Sequence, residues 1–520
     1  MTSLADELFI LLLDNDPFVG ALLGLPGYDD RVQDVSVAAQ SANRRRATEI
    51  LGRADEETDP VTRAVIVQQA NAMITTIDAR LVEHTVADAL SAPVAMLFSL
   101  LPMVDNTKRL PLVPAFVRQA AGRLRDTDRH PLTRHVHNAV AQLDAYLAGP
   151  VAQWEASNPD VVRTAMAEFR DVLRTEIAPV GRDDDKAGIC WLPEGEANYA
   201  RLVERYTTTK RTPEELHRLG LDLIAKLREE YVEIGSRVFG LRTVDEVFDR
   251  LRTDPALRWR DEQEMMDKAR GVIVRAEKVA PQWFGKLPSS SCHVAFVPEA
   301  DRGSAPIAYY VDPSLDGTRP GTYFVNPKNA TERDRTVAEA VAFHEAVPGH
   351  HFQLALAQQL DLPDLRKYAF IEAYLEGWGL YAERLADEMG LYSDDVARLG
   401  MLTQDAMRAG RLVVDTGMHA FGWSRRRAID YLRTNTVMAP VEIEAEIDRY
   451  IEVPGQALAY MVGRMEIQRL RAQAEAAMGD RFDIKEFHDL VLGGGPLPLD
   501  ALADVVTGWS SPAPSSSAST

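Results

Sequence analysis

The sequence predicts a mainly α-helical fold carrying one small antiparallel β-sheet. Apolar side chains recur at three- and four-residue steps through most of the chain, which is the helical period. Runs of β-branched and aromatic residues gather in a single window, about 292–326. With 520 residues, 46% of them apolar and 26% charged, the chain has the composition of a globular protein with room for more than one core.

Residues 1–210 read as an N-terminal succession of amphipathic helices. Ala64, Val65, Val67 and Ala70 open one apolar stripe, which Met73, Ile74, Ile77 and Leu81 continue. Prolines 93, 102, 111, 131 and 150 punctuate the segment. Residues 211–509 form a second helical segment, entered at Thr212-Pro213-Glu214-Glu215. Thr212 can accept from the third helical amide, Pro213 suits the first helical position, and Glu215 closes a capping box. Within this segment residues 293–297, 307–311 and 322–325 predict three strands, separated by Gly, Pro and Asp-Gly. Thr331 and Asp334 are placed to cap the next helix, and 368–389 reads as one long helix. Residues 510–520, rich in Ser, Ala and Pro, predict a disordered tail.

Acidic side chains number 78 against 58 basic ones, a net charge of −20. That balance disfavours nucleic acid as a partner, because phosphate binding needs a basic footprint. The triplet Arg425, Arg426 and Arg427 reads as a solvated face. Cys190 and Cys292 are too few for a disulfide framework and read as free thiols. The apolar stretch 8–13 has no basic leader and soon meets Asp14 and Asp16. No apolar run approaches the roughly 20 residues of a membrane helix. The expectation is therefore a cytoplasmic protein with no membrane partner.

Chemistry concentrates in Phe343-His344-Glu345-Ala346-Val347-Pro348-Gly349-His350-His351, which holds three of the chain's eleven histidines. Paired imidazoles beside a carboxylate suit a zinc ion, with the glutamate placed to move a proton from water. The usual spacing of two histidines one turn apart is absent, because Pro348 stands four residues after His344. On an unbroken helix His350 would lie about 240° around the axis from His344, and His351 about 10.5 Å along it. Pro348 cannot donate to the carbonyl of residue 344, so the spacing predicts a break that turns His350 back towards His344. His351 is the alternative ligand. A third ligand is expected from the following helix, where Glu372 and Glu376 share a face and Glu383 continues it.

His-Glu-Ala-Val-Pro-Gly-His-His, Glu376-Gly377-Trp378-Gly379-Leu380-Tyr381-Ala382-Glu383 and Pro454-Gly455-Gln456-Ala457-Leu458-Ala459-Tyr460 together resemble the bacterial family of domain of unknown function 885. The matching pieces extend from about Gly195 to Arg471, and more weakly over the whole chain. The resemblance implies kinship with zinc metallopeptidases whose third ligand is a glutamate, and a two-lobed helical body with a deep cleft. Aminopeptidases of that wider group carry a Glu-Gly-aromatic-x-x-Tyr segment that matches 376–381, which implies Glu376 as ligand; by its spacing one turn away, Glu372 is the alternative ligand or the carboxylate that orients a histidine. Zinc is thus the expected cofactor, held by His344, His350 and Glu376, with Glu345 as general base. Candidate oxyanion donors are His419 and Tyr460. Arg411 or Arg464 could hold a substrate carboxylate, and the strand from Tyr323 to Asn326 could pair with an extended substrate. The expected substrate is a short peptide or small amide. A non-peptide metabolite on the same metal, or an inactive helical scaffold that binds peptides, are the other readings of the motif.

Overall fold

Helix boundaries follow local capping chemistry wherever the sequence offers it. In the computed structural model, which describes residues 3–89, 91–299, 302–303, 305–315 and 319–511, Thr212 accepts from the Glu215 amide at 3.2 Å. Glu215 accepts in return from the Thr212 amide at 2.9 Å. The helix Pro213–Phe239 follows and ends on Gly240 in the left-handed region. Helices dominate throughout, as predicted, and the strands occupy one small region.

The sheet is mixed, not antiparallel. Its strands β1 (His293–Phe296), β2 (Ala308–Val311) and β3 (Thr322–Val325) are ordered β1-β3-β2. β3 pairs parallel with β1, His293 opposite Thr322, and antiparallel with β2, Ala308 opposite Val325. Neither connection is a two-residue hairpin, so the sequence carries no turn signal that fixes strand order.

Three helix boundaries also differ from expectation. Asp334 accepts from the amide and hydroxyl of Thr336, holding 334–336 outside the helix, which begins at Ala338 without a cap from Thr331. The stretch 368–389 is divided into Asp364–Tyr368 and Glu372–Glu388. The last helix, Leu499–Ser510, includes Ser510; residues 512–520 lie outside the described residues.

Leu8, Ile50, Val65 and Leu202 share one apolar core with Phe343, Trp378, Leu402 and Leu470. Phe18, Leu97, Phe116, Val136 and Phe169 form a separate core within the N-terminal segment. A third gathers Val413, Met418, Trp423, Ile447 and Tyr450. The helix Asp395–His419 is buried along most of its length and contributes to both the first and the third. Among the described residues no helix is long and apolar enough to cross a membrane.

Candidate metal centre

The helix Ala338–Glu345 runs into the protein, with Ala340, Ala342 and Phe343 buried, and delivers His344 and Glu345 at its C-terminal end. The interruption expected at Pro348 is present. The Val347–Pro348 peptide is cis, and a new helix, His350–Gln358, starts two residues later. Gly349 is demanded by close approach: a Cβ there would lie 1.9 Å from the carbonyl oxygen of His344. Trp378, fully buried on the helix Glu372–Glu388, donates its indole N–H to the Pro348 carbonyl at 2.9 Å and so holds the break in place.

The break brings the two imidazoles together. Their ring centroids are 4.8 Å apart and their planes 89° to one another. Oε2 of Glu376 lies 3.4 Å from Nε2 of His344 and 3.5 Å from Nε2 of His350. Two donors each about 2.1 Å from a tetrahedral zinc ion are about 3.4 Å apart, so both of these edges fit one ion. All three ligand atoms fall within 4.8 Å of one another.

The outward nitrogens are tethered as well. His344 Nδ1 donates to Glu383 Oε1 at 2.8 Å, and His350 Nδ1 lies 3.4 Å from Gln353 Oε1. Gln353 is oriented by its own donation to the Tyr374 carbonyl at 3.3 Å. Tethers of this kind set the tautomer and leave each Nε2 lone pair facing Glu376. Glu376, Gly379 and Glu383 share one face of their helix, and the His344 ring rests on bare backbone at Gly379.

Three carboxylates surround two imidazoles here, a surplus of negative charge that favours a cation. Burial alone would depress His344, but Glu376 and Glu383 overcome it and hold the ring up to about 9. Burial alone would raise Glu376, yet the two imidazoles keep it well below the usual carboxylate range. Glu345 is pushed up by its buried surroundings, with the nearby imidazoles opposing.

A family model of bacterial proteins of unknown function, DUF885, matches residues 17–506. The chain belongs to DUF885. Two solved structures share its fold. A candidate lipoprotein from Colwellia psychrerythraea is 24% identical with a TM-score of 0.86, covering 98% of this chain and all (100%) of its own. A candidate lipoprotein of unknown function from Shewanella oneidensis is 16% identical with a TM-score of 0.72, covering 97% and 100%. No curated protein matches.

Several other residues singled out in this DUF885 sequence stand elsewhere. His351 turns towards the sheet, where Nδ1 accepts from the Tyr310 hydroxyl at 2.9 Å and Nε2 donates to the Ser290 carbonyl at 3.0 Å. Both of its nitrogens are therefore engaged away from Glu376. Glu372 pairs with Arg205 at 3.0 Å, and the supporting carboxylate is Glu383. His419 accepts from the Ile189 amide at 3.0 Å and donates to the Tyr450 carbonyl at 2.9 Å, leaving no N–H for an oxyanion. Arg464 is committed to the buried Asp405, which also binds Arg384. Asn326 donates to the carbonyls of Arg302, Ala305 and Pro306, tying down a loop. Tyr323 sits on β3, whose two edges are both paired, so no substrate strand can join it.

Tyr460 and Arg411 lie together, the guanidinium carbon 4.6 Å from the centre of the phenol ring. Tyr460 is half-buried, and burial together with the charge of Glu376 raises its pKa. Gln353 is a site residue that the histidine motif does not single out. Its signal was available, since Gln353 follows His350 by three helical positions.

Proposed function

We propose that this DUF885 chain is a zinc-dependent hydrolase that cleaves an amide bond in short peptides. The observation that carries the reading is the convergence of His344 Nε2, His350 Nε2 and Glu376 Oε2, with both outward nitrogens facing protein acceptors. Two imidazoles and one carboxylate are a donor set suited to zinc, and they leave a coordination position for water. When bound, the ion supplies Lewis acidity towards a carbonyl and draws the pKa of water down to about 7.

Glu345 is the group placed to move protons. It follows His344 directly, and its raised pKa suits a base that takes a proton from attacking water and returns it to the departing amine nitrogen. Tyr460 keeps its phenol proton for the same reasons that raise its pKa, and so offers an O–H to the developing oxyanion.

The test compares wild type with Glu345→Gln, both purified without chelator, by metal analysis and a panel of dipeptides and tripeptides. The expected result is one zinc per chain in both proteins and a kcat lower by about 10²–10⁴-fold in the variant. A wild-type chain without metal, or a variant that hydrolyses at the wild-type rate, overturns the reading.

A further inference from the structure

On the helix Asp395–His419 lies a buried arginine that makes no ion pair. Arg408 is 8% exposed, and its guanidinium bonds Gln404 while its Nε has no partner. Among the described residues it makes no ion pair, and Gln404 is its side-chain partner. Guanidinium groups are almost never buried unpaired, because desolvating a charge is costly. In a chain with a net charge of −20, acidic partners are not scarce, which makes the omission informative.

Arg411, one turn further along the helix Asp395–His419, repeats the feature. Its Nε donates to the Tyr450 hydroxyl at 2.7 Å and its Nη2 to Glu446 at 2.8 Å, but its Nη1 is buried without a partner. Glu446 is shared with Arg449 at 3.1 Å, so Arg411 and Arg449 have one carboxylate between them. Arg408 and Arg411 both stack on Tyr460, their central carbons 5.9 and 4.6 Å from its ring centre.

Helix crossing places this cluster against the metal ligands. Tyr460 stands near the start of the helix Ala459–Met478, which crosses Glu372–Glu388 backbone to backbone. A Cβ on Gly377, next to Glu376, would lie 2.5 Å from the Gly463 Cα.

We propose that Arg408 and Arg411, both lying against Tyr460, bind the free terminal carboxylate of a peptide whose scissile amide lies at His344, His350 and Glu376. The buried Nε of Arg408 and Nη1 of Arg411 are donors left without partners, and charge-assisted bonds from guanidinium to carboxylate are the strong ones. The substrate class is then a short peptide with an unblocked C-terminus, cut near that end. The inference rests on the hydrolase reading above, and the experiment separates the two.

The zinc-loaded full chain is assayed on short peptides bearing a C-terminal carboxylate and on the same peptides as C-terminal amides. The acid should be favoured about 100-fold in kcat/KM, mainly through KM. Arg408→Gln should abolish most of that preference and Arg408→Lys restore part of it. Arg408 is the position to change because its bond to Gln404 is local, whereas Arg411 also holds Tyr450 and Glu446. Matching thermal unfolding of the variants shows that the fold survives. Equal turnover of acid and amide, or a preference that Arg408→Gln leaves intact, overturns the subsite.

If neither peptide is cleaved, calorimetry on the chelator-treated full chain decides, with N-acetylglycine against N-acetylglycinamide as probes. Binding of the acid alone, lost in Arg408→Gln, retains the subsite and removes the hydrolase reading. Equal binding of both probes, or of neither, overturns the subsite.

Discussion

Gly379→Ala tests the placement of His344 with one methyl group. A Cβ at 379 would stand 2.7 Å from Cε1 and Nε2 of the His344 ring and 3.0 Å from Nδ1, where ordinary contact begins at 3.4 Å. The ring must therefore retreat by about 0.7 Å, the difference between the two distances. Glu376 and Glu383 lie on the same helix as the new methyl, so retreat moves the imidazole away from both. The Nδ1–Glu383 separation of 2.8 Å would open to about 3.5 Å, past hydrogen-bonding reach. Loss of such an outer partner lowers metal affinity by about 10–100-fold.

The same substitution raises helix propensity by about 0.5–1 kcal/mol, so the chain should still fold. Gly271→Ala on the helix Glu262–Val279, where a Cβ would meet nothing within 4 Å, supplies the propensity gain alone. Competition titration of zinc against a chelator, with thermal unfolding in parallel, reads both effects. A Gly379→Ala chain that is folded and binds zinc as tightly as wild type would refute the proposed ligation by His344.

Two further predictions address neighbouring residues. His350→Ala should lose zinc by more than the roughly 100-fold that an outer partner costs, whereas His351→Ala should keep it and lose about 1–3 kcal/mol of stability from the stranded Tyr310 hydroxyl and Ser290 carbonyl. Zinc retained by the first variant, or lost by the second, would exchange their roles. Far from the site, His135 lies between Glu452 at 3.2 Å and Asp448 at 3.3 Å, the latter also held by Arg134 and Arg425. Burial alone would depress its imidazolium, but those carboxylates overcome it and hold the group up to about 9 from an ordinary 6.5. A raised folded-state pKa stabilises fully below the unfolded value and ceases to do so as pH rises through the folded one. His135 should thus contribute about 3 kcal/mol below pH 6.5 that is gone above pH 9. Urea unfolding across that window should fall more steeply for wild type than for His135→Gln, and parallel slopes would refute the assignment.

Much of this architecture is written locally. The capping box at Thr212 and Glu215 names a helix start without help from the rest of the chain, and the helical period survives wherever one face is buried. The break at Pro348 is equally local, because a missing N–H acts within its own turn. What the residues could not disclose depends on partners distant in sequence. Nothing in 322–325 says that β3 enters between β1 and β2, so the residues alone predict neither the mixed sheet nor the pairing of both edges around Tyr323. His351 and His350 are adjacent and chemically identical, and only the position of Tyr310 and Ser290 separates them. Glu372 and Glu383 were both on the correct face, and Arg205, from far upstream, takes the first of them. The sequence leaves both nitrogens of His419 open, and the fold fills them with the Ile189 amide and the Tyr450 carbonyl.

The turn that separates Glu345 from His350 has a length that the ligand geometry cannot vary freely. Removing one residue from 346–348 would present His351 at the position where His350 now faces Glu376, exchanging one imidazole for another. Adding one would present Gly349 there, which has no donor at all. Deletions and insertions in this short link should therefore be unequal in their consequences, a polarity that arises from the doubling of histidine on one side of it and glycine on the other.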